Sequence, residues 1–380
     1  MEKNKASVSF VLPCLNEERT LSTVLKKINY VRKNELKNRN VEIVVSDNGS
    51  SDRSIEIAKA NGASVSIAKN RGYGAALDNG IRSSKNEIII FADADNTYDF
   101  YESVQLINKL EEGYDFVYGS RLKGEIKDGA MPFIHRYVGT PILNFIINLL
   151  YSYNGIKVTD CNSGFRCFYK KHYLKLGIKG SGMEFASEML VKVFKNKLKV
   201  ADIPISLHPD IENRVPHLST WRDGMRHLLQ ILIEAPSFFY RSGLTVWIIS
   251  ILFSLTSMIF GQISVGPFNL FGIHTMIFSS FGSIFGIVLW SIGLFIYRPS
   301  ENRTNMYYFL YNLPEDKLFY YSSTIISTSI LMFVYIFYIW YQFDFKFLEL
   351  EKETLFIANL ASNGILLITQ TIALHLLKRS

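Results

Sequence analysis

The stretch "EIIIFADADNTYD", residues 87–99, decides how the N-terminal part of the chain is read. An apolar, β-branched run from Ile88 to Ala92 stops abruptly at Asp93 and Asp95. Such a run has the character of a strand buried on both faces. Side chains alternate along a strand, so the two aspartates point the same way, and they repel unless a cation or hydrogen-bond donors compensate them. Taken alone, an acidic loop explains the pair as well as a metal site does. The surrounding pattern separates the two.

Upstream, residues 8–12, 41–46 ("VEIVVS") and 63–68 ("ASVSIA") read as strands. Residues 17–37, 51–62 and 73–84 read as helices, the second capped by Ser51 or Asp52 and stopped by Gly62. Downstream, a helix runs to Gly113 and "DFVYGS" (115–120) is a further strand. This alternation predicts an α/β fold, a Rossmann-like, mainly parallel sheet with helices on both faces. Ligands bind such sheets beyond the carboxyl ends of the strands. The residues there are 13–17, 47–50, 70–74 and 93–95, so the four tips line one crevice. The second and third tips, "SDNGSSD" (46–52) and "KNRGYGAAL" (69–77), are glycine turns that open helices, a geometry that cradles phosphate. Turn and cap chemistry explains either one alone. Together with a D-x-D on the next strand they predict a phosphate–metal site, with Mg²⁺ or Mn²⁺ neutralising a nucleotide diphosphate.

The C-terminal part has a different composition. Within a 380-residue chain that is 48% hydrophobic, residues 243–262, 273–297, 320–341 and 354–377 contain no Asp, Glu, Lys or Arg. Each is long enough to cross a bilayer core of about 30 Å as a helix. The apolar run at the N-terminus breaks at Pro13, too early for a signal peptide. The expected organisation is a cytosolic catalytic domain (1–225), an interfacial linker (226–242) and a membrane domain (243–380). Basic residues Arg298, Arg303, Lys317, Lys378 and Arg379 place the catalytic domain and C-terminus on the cytoplasmic side, in a bacterial inner membrane. The apolar stretch 138–153 is too short to span and reads as a surface-lying or a core helix. Cys14, Cys161 and Cys167 lack metal-ligand spacing and read as packing residues. The net charge of +7 suits an anionic membrane surface, and no basic cluster interleaved with aromatics points to nucleic acid.

The ordered motifs "VLPCLNEE" (11–18), "SDNGSSD", "ADADNTYD" (92–99), "GSRLKG" (119–124) and "NSGFRCF" (162–168) carry a resemblance. Over about residues 7–240 the chain resembles the family 2 glycosyltransferases of the GT-A fold. Within them it is similar to the polyprenyl-phosphate glycosyltransferases, such as dolichol-phosphate mannose synthase and its bacterial undecaprenyl-phosphate relatives. The resemblance implies nucleotide contacts for Pro13 and Glu17 and places Asp47 near the base. Gly49, Asn70, Arg71, Gly72 and Gly74 of the glycine tips join the donor-binding set. Asp95 becomes the primary metal ligand, with Asp93 close to nucleotide or metal. Arg121 and Arg166 fall near the donor diphosphate and the acceptor phosphate, and Ser163 joins them at the acceptor. "GMEFASEML" (182–190) and "PHLSTWRDGMRHL" (216–228) are similar to a bacterial branch. Two positions depart from the family pattern: Asn48 replaces the second acid of D-D-G-S, and Thr97 stands where D-x-D-x-Q enzymes carry glutamine. The Q-x-x-R-W motif of processive synthases is missing, which favours transfer of a single sugar.

The reading is therefore transfer from a nucleotide diphosphate-sugar to a polyprenyl phosphate; the resemblance implies inversion. A lipid phosphate with a second pKa of about 6 is already a dianion at neutral pH, so a strong general base is dispensable. Glu184 is a candidate for a sugar hydroxyl, with capping or a salt bridge as the alternative, and Asp160 for positioning an arginine. Arg214, His217 and Arg222 lie where a lipid phosphate enters, or are ordinary snorkelling charges. Direct transfer to a glycan or another lipid, lipid flipping and a non-catalytic scaffold remain open, as does a homo-oligomer. Uncharged spans argue against ion-coupled transport.

Overall fold

The computed structural model describes residues 6–211, 220–265, 268–296, 312, 314–345 and 350–379, divided into two units at Leu232/Ile233. In the first unit, β1 (Val8–Cys14) is buried along its whole length and pairs in parallel with β2 (Val41–Asp47) on one side and β4 (Ile88–Phe91) on the other. β3 (Ser64–Ile67) extends the parallel run beyond β2. The chain therefore leaves β1 in opposite directions, and the crevice beyond Cys14, Asp47 and Phe91 is the switch point where open α/β sheets bind ligands.

The other half of the seven-stranded sheet runs β4-β6-β5-β7, with β5 Phe116–Ser120, β6 Arg166–Tyr169 and β7 Val200–Pro204. Strand β6 is antiparallel to both neighbours, and Phe91 stands opposite Arg166. The loop that enters β6 thus lies at the same edge as the D-x-D that leaves β4. Helix α1 (Leu21–Asn34) buries Leu21, Val24, Leu25, Ile28 and Val31, the i, i+3, i+4 stripe of an amphipathic helix, on one sheet face with α4 (Ser103–Glu111). The opposite face carries α3 (Tyr73–Ser83), α5 (Thr140–Tyr151) and α7 (Phe185–Lys195). Emptying one such position, as in Leu25→Ala, costs about 2–5 kcal/mol.

Helix α5 is half core and half surface: Leu143 and Ile147 are buried, while Ile142, Phe145 and Leu149 are 52–66% exposed. The preceding turn exposes Phe133, Tyr137 and Val138 as well. Helix α8 (Thr220–Ile233) has a mixed face on each side: it buries Asp223, His227 and Ile231 and exposes Trp221, Met225 and Leu229 beside Arg222 and Arg226. The Tyr151 hydroxyl, at the end of α5, donates to the Ile231 carbonyl of α8 (2.5 Å). Two short helices complete the set, α2 (Ser54–Ala60) and α6 (Lys170–Leu176).

In the second unit, α9 (Pro236–Phe260), α10 (Ile273–Phe295), α11 (Glu315–Gln342) and α12 (Glu351–Arg379) include four segments long and apolar enough to cross a membrane. A hairpin, β8 (Ile263–Val265) with β9 (Phe268–Leu270), joins the first two. Helix α9 begins at Pro236, proline being tolerated in the first helical turn; residues 226–242 thus belong partly to α8 and partly to α9. Small residues let α9 and α10 approach closely: a Cβ on Gly286 would come within 2.5 Å of the Trp247 nitrogen. Buried amides join α12 to them, with Trp247 Nε1 donating to Asn363 Oδ1 (2.8 Å) and Ser283 Oγ to Asn359 Oδ1 (2.8 Å). On α11 the exposed aromatics Tyr320 and Tyr321 lie about 30 Å along the axis from Trp340 and Tyr341, the spacing of the two interfacial belts of a bilayer.

Candidate active site at the strand tips

Hydrogen bonds lace the tips together. After β1, the Glu17 N–H donates to Ser54 Oγ (2.8 Å) and Asn16 Oδ1 accepts from Ser51 N–H (2.8 Å), so the first tip is sewn to the second. Pro13 and Glu17 are buried there, and Glu17 accepts from the Thr20 hydroxyl (3.0 Å). Asp47 is 2% exposed and accepts from the N–H groups of Gly49 (2.9 Å) and Ser50 (3.1 Å). Gly49 has φ +94°, a conformation that favours glycine. Asn70 and Arg71 are exposed, and Arg71 has no ion-pair partner among the described residues.

At the fourth tip, Asp95 Oδ1 accepts from both the N–H (3.0 Å) and the hydroxyl (2.6 Å) of Thr97. Thr97 thereby orients the acid. Between the two aspartates, Asn96 is held at φ +63°, and its side-chain oxygen is buried with no hydrogen-bond partner. The Tyr73 phenol hydrogen-bonds Asp93; burial and that charge push its pKa well above the ordinary tyrosine range. The loop entering β6 crosses directly over Asp93: a Cβ on Gly164 would meet Asp93 Oδ2 at 2.8 Å. The Gly164 N–H donates to the Tyr98 hydroxyl (2.8 Å), whose pKa burial pushes up to about 12.

These are hard oxygen donors in a tight turn, the set that suits Mg²⁺ or Mn²⁺. No cluster of three His, Cys, Asp or Glu capable of holding a metal occurs among the described residues. The fit is to a cation held by one or two carboxylates and completed by phosphate oxygens, as Mg²⁺ usually is.

The arginines divide. Arg121 makes a bidentate pair with Asp160 (2.7 and 2.8 Å), and its own N–H donates to the same carboxylate. Burial works against its charge, but Asp160 outweighs this and raises its pKa. Asp160 thus holds the Arg121 side chain in one orientation. Arg166 is a correction: expected at a phosphate, it is fully buried and donates to the carbonyls of Ser163, Ala186 and Cys161. Its guanidinium braces the loop that enters β6 and ties it to α7. Ser163, expected at the acceptor, is likewise fully buried, with its Oγ accepting from Phe165 N–H (3.4 Å). Glu184 folds back onto its own loop, accepting from Gly182 N–H (2.8 Å), while its Oε2 is buried with no hydrogen-bond partner. Arg214 and His217 lie outside the described residues. Arg222 is exposed on α8.

Several residues escaped the sequence reading. Tyr73 and Tyr98 look like ordinary core aromatics until the fold sets them against Asp93. His135 lies near Arg121, and burial and that charge lower its pKa. His227 of α8 shares a hydrogen bond with Ser187 of α7 (2.9 Å), and burial pushes its pKa down to about 4. No local signal marks these residues: Gly164, which donates to Tyr98, and Ser187, which bonds His227, are distant in sequence.

The strand tips thus gather an acidic D-x-D turn and a glycine-rich, helix-opening loop at one edge of the sheet. The Glycosyl transferase family 2 profile matches residues 9–174. The low-salt glycan biosynthesis hexosyltransferase Agl6 of Haloferax volcanii is 34% identical over 293 residues, 76% of this chain and 68% of that protein. The chain belongs to glycosyl transferase family 2 and is a glycosyltransferase. It is also 28% identical to the UDP-N-acetylglucosamine--dolichyl-phosphate N-acetylglucosaminyltransferase of Methanococcus voltae, over 52% of this chain and 84% of that one. Among solved structures, glucosyl-3-phosphoglycerate synthase from Mycobacterium tuberculosis, in complex with Mn²⁺, UDP and glucosyl-3-phosphoglycerate, shares 21% identity, with 60% of this chain and 80% of that one covered and a TM-score of 0.49.

Proposed function

We propose that this glycosyltransferase moves one sugar from a nucleotide diphosphate-sugar to a polyprenyl phosphate at the cytoplasmic membrane surface, with Mg²⁺ or Mn²⁺ bound at Asp95 and Asp93. One observation carries the acceptor: the exposed apolar faces of α5 and α8, with Phe145, Leu149, Trp221, Met225 and Leu229 outward. Apolar faces rimmed by cations, here Arg222 and Arg226, suit the headgroup boundary, and α8 ends two residues before the span that begins at Pro236. The relative from Methanococcus voltae, named for a dolichyl-phosphate acceptor, supports the same choice.

In this reading the lipid phosphate dianion attacks the anomeric carbon as the bond from that carbon to the nucleotide diphosphate breaks. No proton has to leave the nucleophile, so no side chain need act as a strong base. A divalent cation at the D-x-D would neutralise the departing diphosphate. Thr97 and Tyr73 fix the two aspartates that would hold it. Arg71, exposed on the glycine-rich loop, offers charge to the leaving phosphates. The Arg121–Asp160 pair supplies a rigid edge with little net charge.

The test is purified protein in detergent with labelled UDP- and GDP-sugars, offered undecaprenyl phosphate or undecaprenol. Label entering lipid only with the phosphate establishes the acceptor class. Label appearing instead in a glycan, or in undecaprenol, sinks it.

A further inference from the structure

Asn48 occupies the position where the family pattern has a second acid, and its side chain does something an acid cannot. It is 7% exposed, its Nδ2 donates to the Asn70 carbonyl (2.8 Å), and its Oδ1 accepts from the Gly72 N–H (2.7 Å). The two partners fix the orientation of the amide, since one offers only an acceptor and the other only a donor. An ionised carboxylate would keep the Gly72 bond and set oxygen against oxygen at Asn70. The backbone of Asn48 is itself anchored, its N–H donating to the Cys14 carbonyl (2.9 Å).

The far side of the same loop is equally fixed. A Cβ on Gly72 would fall 2.2 Å from the Ser181 carbonyl oxygen, and one on Gly74 2.4 Å from that of Gly180. The Ala75 N–H donates to the Ser181 carbonyl (3.0 Å). That second loop is pinned by Glu188, 1% exposed, which accepts from the N–H groups of Lys179 (3.0 Å) and Gly180 (2.6 Å) and pairs with Lys192 (2.8 Å). Loop 70–74 is therefore held between two anchored elements, with Asn70 and Arg71 exposed.

We infer that Asn48 is a positioning residue that presets loop 70–74, and so Arg71, for the donor diphosphate before any ligand arrives. The inference rests on the proposed donor site and adds that the uncharged amide is required there. Glu188 serves the same loop from the opposite side through loop 179–182.

The test is hydrogen–deuterium exchange on the full-length protein in detergent without ligand, comparing native with N48D and N48A. The segment 68–76 should exchange about tenfold faster in N48A, the scale of lost hydrogen bonds, and faster still in N48D, where repulsion is added. Segment 8–12 of β1 should keep its native rate in both, which separates loop release from global unfolding. If N48D does not fold, N48A alone decides. Native exchange at 68–76 in the folded variants overturns the inference. In turnover, both variants should raise the KM for the sugar nucleotide about tenfold with kcat changed less than about twofold. A fall in kcat at unchanged KM also overturns it. The exchange readout needs no donor, so released loops in a protein that transfers no sugar would leave Asn48 in its role and sink the donor reading instead.

Discussion

Thr97 donates twice to one oxygen of Asp95, through its N–H at 3.0 Å and its hydroxyl at 2.6 Å. Both bonds hold the same carboxylate oxygen, which fixes the orientation of the acid. Supporting bonds of this kind typically carry 10–100-fold in metal affinity. T97V keeps the shape and the N–H bond and removes the hydroxyl. Its half-saturating Mn²⁺ concentration should rise about tenfold in a turnover titration, with activity recovering at high metal. An unchanged metal requirement would mean that Asp95 needs no such support.

The Arg121–Asp160 pair should matter more for stability than for phosphate recognition. Asp160 has no exposed side-chain surface, and Arg121 keeps 13%. Removing one partner of a buried pair strands the other charge at a cost of about 3–5 kcal/mol. D160A should therefore lower the thermal midpoint of the full-length protein by several degrees, and by more than R71A, which removes an exposed charge. Equal midpoints for the two variants would contradict the buried-pair account.

His227 gives the fold a pH dependence of known sign. Its ordinary pKa of 6.5 falls to about 4 in the folded chain, because burial outweighs the attraction of Glu184 and Asp223 while Arg166 lowers it further. Between those values the unfolded chain binds the extra proton. The contribution is thus complete above about pH 6.5 and is lost as pH falls toward 4, the loss approaching ~3 kcal/mol at the acid end. Thermal midpoints measured from pH 7.5 down to 4.5 should fall more steeply for native protein than for H227Q. Parallel curves would show that His227 does not carry the effect.

The outward face of α5 should serve the acceptor and not the fold. Phe145 and Leu149 are 66% and 64% exposed. Replacing both with serine should leave the thermal midpoint within about a degree or two, as surface changes usually do. The KM for undecaprenyl phosphate in mixed micelles should rise severalfold, with the sugar-nucleotide KM unchanged. An unchanged lipid KM would remove this face from the acceptor pathway.

The first half of the sheet was legible in the sequence because its strands are apolar or β-branched runs separated by helical patterns. Strand β1 is buried at every position, and α1 shows its core stripe directly. Asp93 and Asp95 were marked by the abruptness with which the run before them ends. Strand β6 was not legible: it has four residues, begins on an arginine and runs against its neighbours. The fate of Arg166 followed from that. Its sequence context suggests a phosphate ligand, and only the fold, which turns its guanidinium onto the carbonyls of Cys161, Ser163 and Ala186, buries it. Asn48 was visible as a departure from a motif, but its purpose depends on a loop 22 residues further along. The apolar faces of α5 and α8 were read as apolar, yet which side faces the core is settled only by packing.

The most direct test of the central claim is the metal dependence of lipid labelling in native protein and D95N. With undecaprenyl phosphate and the active sugar nucleotide, native protein should label lipid with Mg²⁺ or Mn²⁺ and lose this in EDTA, and D95N should lose at least about a hundredfold at every metal concentration. Native-like labelling by D95N, or labelling undiminished in EDTA, would contradict the account.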